Sequence, residues 1–96
     1  MKPWWKMHSG EFAGWRSKNN GLYNPEGTHI GYFDQKDAYS LQGEYIGQME
    51  GDKWLGKKIG KARPGRVPKT ARSPITKKPL PDRRGRSQGG WVDPSF

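Results

Sequence analysis

The sequence predicts an all-β fold of four short hairpins arranged radially, followed by an extended basic tail. Among the 96 residues, glycine occurs 14 times and proline 8 times, and both residues disfavour helix. No apolar stretch follows the 3.6-residue period of an amphipathic helix. Instead, a Gly-x-x-x-Gly motif recurs four times in the first two thirds of the chain, which indicates an internal repeat. With hydrophobic residues at 30%, the chain can form one small domain at most.

Each copy of the motif carries an aliphatic residue immediately before its second glycine. The motifs begin at Gly10, Gly27, Gly43 and Gly56, and they end at Gly14, Gly31, Gly47 and Gly60. The aliphatic residues are Ala13, Ile30, Ile46 and Ile59, and the preceding aromatic residues are Trp5, Tyr23, Tyr39 and Trp54. Because side chains alternate between the two faces of a strand, we expect the aliphatic residues to form one core layer. The second glycines should lie inside strands, and Ile30 should share a face with Tyr32 rather than with Phe33.

Polar clusters mark the turns between these strands in chain order. They are Asn19-Asn20-Gly21, Asp34-Gln35-Lys36 and Glu50-Gly51-Asp52. Glycine and asparagine accept the positive φ that tight hairpin turns need. An isolated hairpin is only marginally stable in water, so four hairpins must share one core. A radial arrangement would keep their edges short and protected.

The segment from Gly27 to Tyr39 resembles the bacterial four-fold beta flower proteins. It reads Gly-Thr-His-Ile-Gly-Tyr-Phe-Asp-Gln-Lys-Asp-Ala-Tyr, and the resemblance extends over roughly residues 4–60. The ending from Arg86 to Phe96 is similar to the Gly-rich, aromatic and acidic endings of that family. The resemblance implies four radiating hairpins followed by a basic tail rich in glycine and proline. It implies no activity.

Charge divides the chain into two parts near residue 61. Residues 1–61 contain nine basic and seven acidic residues, whereas residues 62–96 contain nine basic and two acidic ones. Ten of the twelve aromatic residues lie in the first part, and six of the eight prolines lie in the second. We therefore expect a four-hairpin β domain over 1–61 and an extended or disordered tail over 62–96, because the tail has too few apolar groups to offset its ordering entropy.

The basic tail predicts contact with a polyanion, most plausibly RNA or DNA. Prolines keep this segment extended, so its cations can follow a phosphate backbone and release counterions. Six of the nine cations are arginines, which pair with phosphate and stack on bases. The candidate nucleic-acid-binding residues are Arg63, Arg66, Lys69, Arg72, Lys77, Lys78, Arg83, Arg84 and Arg86.

Two other functions are compatible with the same sequence. The tail could dock on a partner protein in an assembly, anchored by Trp91 and Phe96 and by the Pro79-Leu80-Pro81 segment. Alternatively, the aromatic repeat could bind carbohydrate. The position of the tryptophan rings separates these interpretations, because buried rings indicate a scaffold and exposed rings indicate a ligand surface.

The chain offers little for catalysis, metals or cofactors. It has no cysteine and only two histidines, and no spacing supplies further metal ligands. The segment from Gly51 to Lys58 is close to a phosphate-binding loop, but Lys58 stands where Ser or Thr is required. We therefore predict a non-enzymatic protein without metal or cofactor. The first residues lack the apolar stretch of a signal peptide, and this predicts a cytoplasmic location.

Overall fold

A computed structural model describes residues 1–51, 53–61, 63–86 and 89–94. Eight strands are formed, and none of the residues in these ranges is helical. The strands are β1 (Lys2–Lys6), β2 (Phe12–Arg16), β3 (Gly21–Tyr23), β4 (His29–Asp34), β5 (Asp37–Ser40), β6 (Tyr45–Glu50), β7 (Trp54–Lys58) and β8 (Trp91–Val92).

The first seven strands form one meander that closes into a barrel. Each strand from β1 to β7 pairs antiparallel with the next along the chain. Strand β1 then pairs with β7 in parallel, because a meander with an odd number of strands brings its first and last strands together in the same direction. The prediction of an all-β fold is confirmed. The four radiating hairpins are not, since every hairpin pairs with its neighbours and so leaves no open edge.

Each of the first three repeats contains a β-bulge, and these bulges help the sheet to close. In each, the residue before the second glycine is skipped in the pairing register: Trp4 and Trp5 oppose Gly14 and Phe12, which leaves Ala13 as the extra residue. Ile30 and Ile46 are skipped in the same way. A bulge bends its strand and increases the local twist, and this curvature lets a short sheet curl into a barrel.

Because of the bulges, the side chains do not alternate between the two faces of the sheet as predicted. After the skipped residue, Phe33 faces inward with Ile30, whereas Tyr32 faces outward. Ile46 is 5% exposed as expected, but Ile30 is only partly buried and packs at the edge of the core. The side chains change face because two residues at a bulge oppose one residue of the partner strand, so strict alternation does not continue across Ile30.

The interior of the barrel is filled by side chains from all seven strands. They are Trp4, Ala13, Leu22, Phe33, Ala38, Ile46, Met49 and Leu55. A cluster that receives residues from every strand of a closed sheet can only lie inside it. We therefore take this cluster as the barrel core.

The fourth predicted repeat was wrong. Ile59 is 64% exposed rather than buried, and Gly60 lies in a turn after β7. Leu55 and Gly56 stand in their place, with Leu55 fully buried in the core. Strand β7 begins at Trp54, so alternation directs Leu55 inward, and the strand has ended before Ile59 is reached. This part of the sequence contains two aliphatic–glycine pairs, and the repeat period alone selects the wrong one.

The outer surface of the barrel is lined with aromatic rings. Many of these residues are adjacent in a strand to a core residue, and neighbouring residues point to opposite faces. We name this set the outer aromatic face: Trp5, Phe12, Trp15, Tyr23, His29, Tyr32, Tyr39, Tyr45 and Trp54. Most are buried, although they lie outside the barrel, so another part of the chain must cover them.

Candidate functional site

The segment that covers the outer aromatic face is the basic tail. Residues 63–86, which we name the belt, have no regular secondary structure but donate a series of backbone hydrogen bonds to the barrel. In belt order, the N–H groups of Arg66, Lys69, Arg72, Ile75, Arg83 and Arg86 donate to Gly43 O, Leu41 O, His29 Nδ1, Gly27 O, Gly10 O and Met7 O, at 2.7–2.9 Å. The belt therefore visits the loops at one end of the barrel in reverse chain order.

The belt and β8 together encircle the barrel. The belt follows β7 in the chain and passes the three loops, and β8, which comes after the belt, pairs antiparallel with Lys57 and Lys58 of β7. The Asp93 carboxylate then accepts hydrogen bonds from the backbone N–H groups of His8 and Ser9, at 2.7 and 3.2 Å. The β7 strand is thus both the start and the end of the circuit.

Three rim glycines hold the belt, and they are the first glycines of the three repeats. Gly10, Gly27 and Gly43 have φ angles of +78°, +90° and +92°. A Cβ atom at these positions would lie 1.8–2.1 Å from the carbonyl oxygen of Arg83, Ile75 or Arg66. Only glycine permits both the left-handed φ and this close approach.

The first glycine of each of these repeats therefore marks a contact point between the barrel and the belt. The sequence analysis did not predict this role, although the first glycines recur at intervals of 17 and 16 residues. Prolines stand shortly before each of the three matching belt residues, at Pro64, Pro74 and Pro81.

Cations of the belt lie on rings of the outer aromatic face. The side chains of Arg66, Lys69, Lys77 and Arg83 stand 4.7, 4.7, 4.9 and 4.1 Å from the ring centroids of Tyr39, Tyr32, Trp15 and Trp5. A cation over a ring face is attracted by the ring quadrupole. The rings thus orient the basic side chains, and the aliphatic parts of those side chains help to shield the rings from water.

Acidic residues of the barrel neutralise the first part of the belt. Arg63 pairs with Asp37 at 3.3 Å, and Arg66 pairs with Asp34 at 2.7 Å. Arg66 Nη1 donates a hydrogen bond to Asp34 Oδ2, and this bond raises the pKa of Arg66. Residues 63 and 66 are therefore the weakest candidates for binding an external anion.

The remaining cations form an arc to which no described carboxylate is paired. The arc comprises Lys69, Arg72, Lys77, Lys78, Arg83, Arg84 and Arg86, and all seven are exposed. The one acidic residue in this stretch, Asp82, accepts a hydrogen bond from Phe12 N–H at 2.8 Å. Among the described residues, Lys78, Arg84 and Arg86 have no side-chain contact with an acid or a ring. We name these seven residues the cationic arc.

The predicted docking anchors have different positions. Trp91 is half-buried in β8, where its ring packs on Gly56. Phe96 lies outside the described residues. Of the Pro79-Leu80-Pro81 segment, the Pro81 carbonyl accepts a hydrogen bond from Trp5 Nε1 at 2.9 Å. These contacts join the segment to its own barrel.

The tryptophan rings favour a scaffold over a carbohydrate-binding surface. Trp4, Trp5 and Trp15 are buried, and Trp54 is half-buried.

Inside the described ranges, no group of three or more His, Asp or Glu side chains could hold a metal ion. In the same ranges, no helix is long and apolar enough to cross a membrane.

His29 makes one contact between the belt and the barrel dependent on pH. Its Nδ1 accepts a hydrogen bond from the backbone N–H of Arg72 at 2.8 Å, so the neutral imidazole is the form that holds the belt. Burial lowers the pKa of His29, and the positive charge of Arg72 lowers it further. The unfolded chain therefore takes up this proton at higher pH than the folded one.

We expect the protein to lose stability as the pH falls below about 6.5, the ordinary histidine value. Above that pH the contribution of His29 is fully present, and it decreases towards the lowered pKa of the folded state. Thermal unfolding between pH 7 and pH 5 measures this loss. In His29→Asn, which keeps an acceptor without titrating, the slope should flatten. An equal slope in the wild type and His29→Asn would contradict the assignment.

No family model, curated protein or solved structure matches this chain. The resemblance to the four-fold beta flower proteins therefore stays a prediction. What the chain does has to be inferred from its own geometry.

Proposed function

We propose that the protein is a non-enzymatic adaptor that binds the phosphate backbone of RNA or DNA through the cationic arc. The barrel is the rigid body, and the belt presents the charges. The observation that carries the proposal is the separation of acids from cations along the belt. Asp34 and Asp37 neutralise its first residues, whereas residues 69–86 keep seven basic residues against one acidic residue.

The outer aromatic face supports binding because it orients the basic side chains and so reduces the side-chain entropy that they lose when they bind an anion. Ordering a free lysine or arginine side chain costs up to about 2 kcal/mol. Lys69, Lys77 and Arg83 already lie on rings in the free protein, and this positions them before any anion arrives. Backbone contacts of this kind carry no direct base information, so the proposal includes weak sequence preference.

We expect affinity for a nucleic acid to fall steeply with salt. Each phosphate neutralised contributes about −0.7 to −0.9 to the slope of log affinity against log salt, so six contacts give a slope of roughly −4 to −5. Titration of a fluorescent single-stranded oligonucleotide and of a duplex at several salt concentrations measures the slope for each. Absence of binding to both at low salt would overturn the proposal and favour an acidic protein surface as the partner of the belt.

A matched pair of double variants tests which cations bind. Arg84→Gln with Arg86→Gln removes two charges that pair with no carboxylate of the described residues. Arg63→Gln with Arg66→Gln removes two that are paired with Asp37 and Asp34. The first variant should flatten the slope by about 1.4–1.8, the contribution of two phosphates, whereas the second should change it little. Equal effects would mean that net charge, rather than the cationic arc, governs binding.

A further inference from the structure

The opposite end of the barrel, away from the rim glycines, contains a cavity of about 470 Å³. It lies between the start of β1, the turn after β2 and the end of β6. Its apolar lining includes Pro3, Trp4 and Met49, and its basic lining is Lys2, Arg16 and Lys18. No carboxylate lines it in the part of the chain that the structure describes. The cavity thus combines an apolar wall with positive charge.

Arg16 is the central feature of this cavity. It follows the outward-facing Trp15 in β2, so its side chain is directed to the inside of the barrel, at the mouth. The guanidinium carbon lies 4.4 Å from the ring centroid of Phe33, and Nη2 donates to Asn20 Oδ1 at 3.0 Å and to Gln35 O at 2.9 Å. Three contacts therefore fix the plane of the guanidinium.

The fixed guanidinium keeps binding capacity. Arginine has five N–H donors, and both hydrogens of Nη2 are engaged by Asn20 and Gln35. Across the described residues, Nη1 and Nε have no hydrogen-bond acceptor and no carboxylate approaches the group. Burial lowers the pKa of Arg16, in keeping with a partly desolvated cation to which the described residues supply no counterion. A planar guanidinium in this state suits the two oxygens of a carboxylate or phosphate.

We propose that this barrel mouth binds a small organic anion. The carboxylate or phosphate group of the ligand pairs with Arg16, and its apolar body lies against Pro3 and Met49. The cavity volume falls in the range of about 300–1,000 Å³ that is usual for small-molecule sites, which often lie in the mouths of β-barrels. The site shares no residue with the cationic arc and does not rest on the proposed nucleic-acid binding.

The test uses three anions and NMR spectroscopy of the full chain. Phenyl phosphate and benzoate each carry an aromatic body, whereas inorganic phosphate has none. We expect saturable shifts of the Arg16 Nε–H and Met49 methyl resonances with at least one of the two aromatic anions, and the tighter of them identifies the charged group. Inorganic phosphate should bind about tenfold more weakly, because it cannot use the apolar wall.

Three variants separate binding from folding. Arg16→Gln should weaken binding about tenfold or more, as expected for loss of a charge-assisted hydrogen bond. Arg16→Lys keeps the charge but loses the planar fork, so it should recover part of the affinity and serves if the first variant is unfolded. Lys58→Gln, an exposed position at the opposite end of the barrel from the cavity, should bind as the wild type does. Unsaturable shifts, unchanged affinity in both Arg16 variants, or equal affinity for inorganic phosphate would each overturn the proposal.

Discussion

Replacing Leu55 with alanine should lower the free energy of unfolding by about 2–5 kcal/mol, the usual cost of truncating a fully buried leucine. Leu55 is 0% exposed and lies in the barrel core with residues from the other six strands. A domain of this size has a total stability of about 5–15 kcal/mol, so the change removes a large part of it. Urea unfolding followed by tryptophan fluorescence measures the difference.

The control for this variant is Ile59→Ala in the same part of the chain. Ile59 is 64% exposed, so its truncation should change stability by less than about 0.5 kcal/mol. The comparison distinguishes the two aliphatic–glycine pairs directly. If Ile59→Ala were the more damaging of the two, the orientation of β7 would be wrong.

Replacing Gly27 with alanine should detach the middle of the belt. Its Cβ would lie 2.1 Å from the carbonyl oxygen of Ile75, and Ile75 N–H donates to Gly27 O at 2.9 Å. The backbones must separate, so the hydrogen bond and the packing of Ile75 on the outer aromatic face are both lost. We expect much faster trypsin cleavage after Arg72 and Lys77, located by mass spectrometry, and a lower melting temperature.

Gly60→Ala is the matched control for Gly27→Ala. Gly60 has a similar φ of +83°, but no described atom beyond its chain neighbours lies within 4 Å of the position that its Cβ would take. Both variants therefore carry the same left-handed strain, about 1–2 kcal/mol, and only Gly27→Ala meets the belt. Equal cleavage of the belt in the two variants would show that φ strain, and not the seating of the belt, explains the effect.

Local sequence patterns predicted the strands but not their closure. Glycine content, the missing helical period and the turn clusters were enough for an all-β fold. The bulges at Ala13, Ile30 and Ile46 could not be predicted, because a skipped residue is defined by its partner strand rather than by its own segment. A one-residue shift reverses the facing of the side chains that follow. For this reason the predicted face of Phe33 was wrong, and Phe33 lies in the barrel core.

The candidate site shows the same division between composition and geometry. The nine tail cations were found from charge alone, because basic residues cluster visibly in a sequence. Which of them are neutralised was not accessible, since Asp34 and Asp37 lie about thirty residues before Arg63 and Arg66 in the chain. Arg16 could not be predicted as a binding residue, because it is one isolated cation in an apolar strand. Its position becomes informative only when β2 is placed beside Phe33 and the two turns that contact it.

The closed circuit of the belt has a consequence for the synthesis of the protein. Strands β1–β7 leave the ribosome before the belt, so the barrel can form while its outer rings are still bare. At about 5–20 residues per second, the synthesis of residues 62–94 takes roughly 2–7 s by the same rate. Exposed aromatic surface of this kind favours aggregation and chaperone capture. Until the belt is bound, Trp5, Trp15 and Tyr39 are open to chaperones and to other nascent chains.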